Sequence, residues 1–333
     1  MFAESTGYRR AFAQSMIGTS TQHRGHCVSI LHSVRRRTPW FLVLLLAALS
    51  ASAREPLPLF DAHIHFSVGA TSIYTPAAAM QILDSAGVRT AILSSTPNDG
   101  TLALHAAYPT RFIPFLRPYR KTRNLSEWSE ERRSWYTDPQ TVPFLEQELK
   151  RGIFRGIGEF HVDGHEVDTP VMRELVMLAK KHRLWLMAHS DADAIEKLFT
   201  FDPTAKILWA HTGMGEPPER VARLLERYPQ LYGELSYRSG VSGGLSDEWR
   251  ALLLRFPERF VYGSDTWVPS RWAEVKSLTS DARDWLATLP ASVAENIAHK
   301  NAERCLDRLA RPPNTELANA IIGSDSVSLC FPE

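Results

Sequence analysis

His63 and His65 stand one residue apart in the run Phe60-Asp61-Ala62-His63-Ile64-His65. In an extended strand alternate residues share a face, so both imidazoles point the same way. The pair is a weak signal alone, since 12 histidines in 333 residues give about 0.4 such pairs by frequency. Two later runs, Leu184 to Ser190 and Ile207 to Gly213, each read as a buried strand, then Ala, then His, then a small residue, which places His189 and His211. Gly156-Ile157-Gly158-Glu159 and Tyr262-Gly263-Ser264-Asp265 end two further apolar runs with a carboxylate. Each has an ordinary explanation: a hydrogen-bonded histidine, an ion-paired Glu159, an Asp265 that caps a helix. Six such residues at strand ends of one polarity instead predict a shared site. Four imidazoles and two carboxylates suit zinc or another divalent transition metal, manganese included. His161, Asp163 and His165 are expected in a loop, solvated or behind the ligands, and His105, His182 and His299 on helix surfaces.

Eight apolar runs carry these residues, at 59–64, 88–93, 111–116, 153–160, 184–188, 206–210, 231–236 and 259–262. Continuous runs rich in Val, Ile, Leu and Phe suit strands covered on both faces, as in a parallel sheet. Amphipathic segments such as 170–182 and 219–228 lie between them, with Pro near the start. This alternation predicts an α/β fold, a single-domain (β/α)₈ barrel over residues 54–310. An open doubly wound sheet is the alternative, but no glycine-rich phosphate loop follows the first strand. The long polar stretch 117–139 after the third strand is a candidate lid.

Hydrophobic content of 44% and charged content of 23% are those of a soluble globular protein. Residues 1–53 read as an N-terminal extension and signal peptide. Arg35, Arg36 and Arg37 precede a short apolar run, and Ser50-Ala51-Ser52-Ala53 offers a cleavage site. The run is about half the ~20 residues that span a bilayer, so an exported chain, periplasmic or secreted after cleavage near Ala53, is expected without a stable membrane anchor. The polar stretch 1–33 is long for such a leader, and a true start near Val34 is expected. Removing 1–53 takes away six Arg and one Glu, which leaves 32 basic and 36 acidic residues, a net charge of −4. Such a chain has no electrostatic reason to bind nucleic acid. Cys305 and Cys330 could pair in an oxidising compartment or stay as thiols, and 311–333 reads as a C-terminal tail.

The order His-x-His, strand-four Glu, His, His, Asp resembles the metal-dependent amidohydrolase superfamily. Gly156–Glu159, Ala210-His211-Thr212-Gly213, Tyr262–Asp265 and the stretch from Glu295 through Arg304 are similar to its amidohydrolase-2 (amidohydrolase-related) branch, over about residues 59–308. The resemblance implies that His63, His65 and Asp265 hold one metal ion. His189 would be a ligand of that ion or of a second, and His211 a second-ion ligand or a free imidazole that polarises substrate. Many two-metal members carry a carboxylated lysine on strand four; Glu159 there looks more like the TatD-like hydrolases, where a Glu can bridge two ions.

The parts imply a hydrolase of an amide, lactone, ester or similar bond. A divalent ion supplies hydroxide at neutral pH, Asp265 moves protons as general base and acid, and His211 helps stabilise the oxyanion. A non-oxidative decarboxylase on the same scaffold is the second reading, and a non-catalytic binding protein the third. Arg117 and Tyr119 after strand three, Tyr237 and Arg238 after strand seven, and Trp267 are candidate contacts to a small-molecule substrate. The two Arg could clamp a carboxylate or phosphate, or instead pair with the Glu-rich stretch 127–131.

Overall fold

The structure, a computed structural model, describes residues 56–310. The leader, its cleavage site, the tail and Cys330 lie outside those residues.

Eight parallel strands follow one another in chain order around a single sheet: β1 Leu59–Ile64, β2 Val88–Leu93, β3 Phe112–Leu116, β4 Gly156–His161, β5 Trp185–His189, β6 Lys206–Trp209, β7 Leu231–Glu234 and β8 Phe260–Val261. The ring is drawn together where β8 meets β1: Ala62 N–H donates to the Tyr262 carbonyl (2.8 Å) and Asp265 N–H to that of His63 (2.7 Å). β8 is shorter than expected because Tyr262 N–H turns to the Ile297 carbonyl (3.1 Å) instead of a strand neighbour. β4 starts later and runs one residue further, so His161 lies on a strand opposite His189 and not in a loop.

The helices between strands start where the sequence supplies caps. Thr75, Thr169, Asp191 and Ser246 each accept from the backbone N–H three residues on, satisfying a donor the first turn leaves open. Proline fills the first turn at Pro76, Pro170, Pro218 and Pro269, where its missing N–H costs nothing. Helix Pro170–His182 ends on Arg183, left-handed at φ 58°.

Two apolar layers result. One lies between strands and helices, with Trp209, Trp272 and Phe160 fully buried. The second fills the lower barrel with Phe60, Ala62, Ile92, Phe115, Trp185, Met187, Leu208 and Val261, and is plugged by Ala302 and Leu306 of helix Asn301–Ala310. Each large side chain so buried contributes about 1.5–3 kcal/mol. Strict alternation would put Phe60 and Ala62 on one face and His63 and His65 on the other. A register shift between Asp61 and Ile64 relieves this, so β1 serves the apolar plug below and the site above. Among the described residues no helix is long and apolar enough to cross a membrane.

Candidate metal centre

The six residues singled out by sequence converge at the C-terminal mouth. His63 Nε2 and His65 Nε2 are 3.0 Å apart. Glu159 Oε2 lies 3.2 Å from His65 Nε2 and 3.5 Å from His63 Nε2, and Asp265 Oδ1 lies 3.2 and 3.6 Å from the same two atoms. The other oxygen of each carboxylate faces the second pair of histidines. Glu159 Oε1 is 2.9 Å from His189 Nδ1 and 3.6 Å from His211 Nε2, with Asp265 Oδ2 3.8 Å from His211 Nε2.

The outer nitrogens of three rings are already committed. His63 Nδ1 donates to Glu234 Oε2 (2.9 Å), His65 Nδ1 to the Ser94 carbonyl and His211 Nδ1 to the Ser236 carbonyl (2.9 Å). Carbonyls and carboxylates only accept, so in neutral rings the proton sits on Nδ1 and Nε2 presents a bare lone pair. Three lone pairs then face two carboxylates, of which Glu159 Oε2 also accepts from Arg117, and Asp265 Oδ1 is sealed from water without a hydrogen-bond partner. Two imidazoles on one tetrahedral zinc stand about 3.3 Å apart at ordinary bond lengths, close to the separation here. The donor set therefore fits a divalent cation. Outer-nitrogen partners of this kind fix tautomer and ring orientation in metal sites.

Without a cation the same cluster attracts protons instead. Burial works against a charged His63, but Asp265, Glu159 and Glu234 outweigh it and hold its pKa well above the ordinary histidine value. Burial likewise opposes ionised Glu159 and Asp265, yet the surrounding imidazoles hold both well below the usual carboxylate range. One buried pool of charge thus has several carboxylates and imidazoles sharing few protons.

The backbone is bent to make this cluster. His211, Thr212 and Asp265 adopt left-handed φ of 55°, 47° and 51°, costing about 1–3 kcal/mol each for residues with a Cβ. Donation from His211 N–H to Glu234 Oε2 (3.0 Å) helps hold the first. Gly158, at φ 133°, admits no Cβ because one would sit 2.2 Å from the Met187 carbonyl. At Gly263 a Cβ would meet Glu234 Oε1 at 2.2 Å, so this glycine lets the carboxylate reach His63.

A cavity of about 720 Å³ opens over the cluster. Of the expected substrate contacts, Arg117, Tyr237 and Trp267 line it, and Tyr119 and Arg238 do not. Arg117 is buried and turned onto Glu159, with Nη2 3.1 Å from Oε2 and Nε donating to the Glu159 carbonyl (2.9 Å). Arg238 donates to the carbonyls of Thr212 (3.1 Å) and Glu216 and packs over Trp249. Neither guanidinium pairs with residues 127–131. Glu131 instead accepts from Arg120 N–H, Lys121 N–H and the Thr122 hydroxyl, closing the stretch 117–139 on itself around helix Leu125–Glu131. Trp267 Nε1 donates to the Tyr237 hydroxyl (3.0 Å) across the mouth.

Sequence reasoning passed over Glu234, Ser94 and Ser236, and put His161 in a loop. Glu234 ends β7 fully buried; a carboxylate closing an apolar strand run was the available signal. His161 stacks on His189 at 4.3 Å between centroids, and continuing the two-residue period from Glu159 would have placed it on the strand. The carbonyls of Ser94 and Ser236 leave no trace in sequence. His105 and His299 are half-buried, not surface residues.

A family model described as "Amidohydrolase" matches residues 60–308. No curated protein matches. Solved structures align over the barrel at low identity. A phosphotriesterase homology protein from Escherichia coli, with phosphate in its active site, aligns at TM-score 0.55 and 12% identity, covering 75% of this chain and 99% of that one. An uncharacterized TIM-barrel protein from Bordetella bronchiseptica aligns at 0.52 and 15%, covering 77% and 100%. A Burkholderia multivorans amidohydrolase with bound zinc aligns at 0.50 and 16%, covering 77% and 100%.

Proposed function

The chain belongs to the amidohydrolase family, and from that premise we propose that it hydrolyses an amide, lactone, ester or similar bond of a small anionic substrate, using up to two divalent ions that His63, His65, Glu159, His189, His211 and Asp265 would hold. One observation carries the reading. The two oxygens of Glu159 face two different groups of donors, Oε2 toward His63 and His65 and Oε1 toward His189 and His211. Zinc is the ion these nitrogen and oxygen donors suit best, with manganese next.

Ions held there would make water nucleophilic at neutral pH, toward a pKa of about 7, and polarise the scissile carbonyl. This chain's own residues supply the rest. Asp265 is kept ionised by His63 and His65, so it can accept a proton from the attacking water and pass it to the leaving group. His211, its ring oriented by the Ser236 carbonyl and its backbone held by Glu234, would with His189 hold the second ion through its bare Nε2. Trp267, Tyr237, Val68 and Met214, all exposed, give the cavity an apolar wall.

The test is metal content of the purified protein and of Glu159→Gln. About two ions per chain, falling to one or fewer in the variant, are expected, together with turnover of a lactone, amide or ester. The second reading is a one-ion decarboxylase. It is favoured by the Arg117 guanidinium, which shares Glu159 Oε2 with the first group of donors; one ion unaffected by Glu159→Gln, with CO₂ as product, would establish it instead. Export after cleavage near Ala53 is proposed from the sequence of the leader, and N-terminal sequencing of the exported protein checks it.

A further inference from the structure

Among the described residues seven large apolar side chains are exposed. Met177 and Leu254 stand on two different helices, Pro170–His182 and Asp247–Arg255, as scattered surface residues ordinarily do. Four of the seven, Val68, Met214, Tyr237 and Trp267, line the cavity over the candidate metal centre. Exposed apolar residues gathered around a concave site mark a ligand surface.

Each of the four follows a strand that builds the centre. Val68 is three residues past His65, Met214 three past His211 and Trp267 two past Asp265. Tyr237 adjoins Ser236, whose carbonyl orients the His211 ring, and the Tyr237 ring meets that imidazole edge-on at 5.9 Å between centroids. In strand order these are the segments after β6, β7, β8 and β1, a continuous arc of the ring. The stretch 117–139 follows β3, four strands from β7 and so on the far side of the mouth. It lines the cavity with polar side chains, Thr122, Asn124 and Ser129 among them.

The apolar arc is set in place before a ligand arrives. Met214 and Tyr237 lie on left-handed backbone, at φ 52° and 53°, which a residue with a Cβ adopts only where its surroundings enforce it. Trp267 Nε1 donates to the Tyr237 hydroxyl (3.0 Å). The Arg271 guanidinium, tied to the carbonyls of Ser264 and Asp265, lies over the Tyr237 ring at 4.1 Å. A ligand laid against these rings gains contact without having to order them.

We propose that Val68, Met214, Tyr237 and Trp267 form an apolar subsite for the part of the substrate directly beside the reacting bond. The substrate is then an amphiphile, an ester, lactone or amide that carries an alkyl or aryl group on the side of this arc. The assignment rests on the hydrolase reading above and narrows its substrate class.

Acetohydroxamate and hexanohydroxamate share a metal-binding head and differ by four methylenes of tail, and calorimetry on zinc-loaded protein compares them without reading turnover. A methylene buried completely gains about fourfold in affinity and one laid on an open wall about twofold, so hexanohydroxamate should bind about 10-fold or more tightly. Trp267→Gln and, separately, Met214→Asn should each cut that ratio by about threefold. Both side chains are exposed, and asparagine tolerates the left-handed backbone at 214, so the fold should survive either change. A ratio near one in the unaltered protein overturns the proposal, as does a ratio that neither variant lowers. A dimer in sedimentation that Trp267→Gln dissociates also overturns it, because a second copy of the chain would then cover the wall. If neither hydroxamate binds, the metal centre fails and the subsite falls with it; if the head binds and the tail adds nothing, the subsite alone fails. A negative hydrolysis screen beside a tail-dependent affinity would sink the hydrolase reading and leave the apolar subsite standing.

Discussion

Arg117 grips Glu159 at both ends: its Nη2 stands 3.1 Å from the Oε2 carboxylate oxygen, and its Nε donates to the Glu159 main-chain carbonyl at 2.9 Å. Both side chains are buried. The pair fixes the carboxylate that faces all four histidines, so Arg117, which also lines the cavity, positions the centre.

Arg117→Met should therefore act on stability as well as activity. Breaking a buried pair from one side costs about 3–5 kcal/mol. The loss should be larger in chelator-treated protein than in metal-loaded protein, where bound ions take over the neutralisation of Glu159. Denaturant titrations of both forms measure this, and equal losses would mean that Glu159 does not face an ion.

Glu234→Gln preserves shape and an acceptor for His63 Nδ1 but removes the charge behind that ring. Such outer partners are worth about 10–100-fold in metal affinity. Competition with a calibrated chelator should show a weakening in that range with the fold intact. An unchanged affinity would reduce Glu234 to a packing residue.

Asp265→Asn should lower kcat by about 10²–10⁴-fold if Asp265 moves the proton. A rise in KM with kcat unchanged would instead place Asp265 in binding alone. Metal content measured beside the kinetics separates loss of the base from loss of an ion.

Asp61 gives a pH prediction with a defined sign. Burial raises its pKa from 3.8 to about 6. The folded state then holds the extra proton between those values, so this group's contribution to stability falls as pH rises through the window. Over about two units the penalty is of order 3 kcal/mol at pH 7. Asp61 Oδ1 accepts from His63 N–H (3.1 Å) and Ser264 N–H (2.9 Å), and Oδ2 has no partner. Asp61→Asn keeps the accepting oxygen and removes the charge. In metal-free protein it should be more stable than the parent at pH 7, with the difference shrinking toward pH 4; a variant less stable at pH 7 contradicts the account.

The one-dimensional pattern carried the architecture and the six converging residues. Buried parallel strands are near-continuous apolar runs, so eight of them separated by amphipathic segments leave few folds, and a polar residue that ends such a run stands at the barrel mouth. His63, His65, Glu159, His189, His211 and Asp265 were legible for that reason. What sequence could not order is contact between strands. Strand ends β1 and β7 are more than 160 residues apart along the chain, yet Glu234 reaches His63 because the ring closes and Gly263 leaves room. The partners of the arginines were decided the same way. A guanidinium on a long side chain takes whichever acceptor the fold sets within reach, so Arg117 turned to Glu159 and Arg238 to backbone carbonyls.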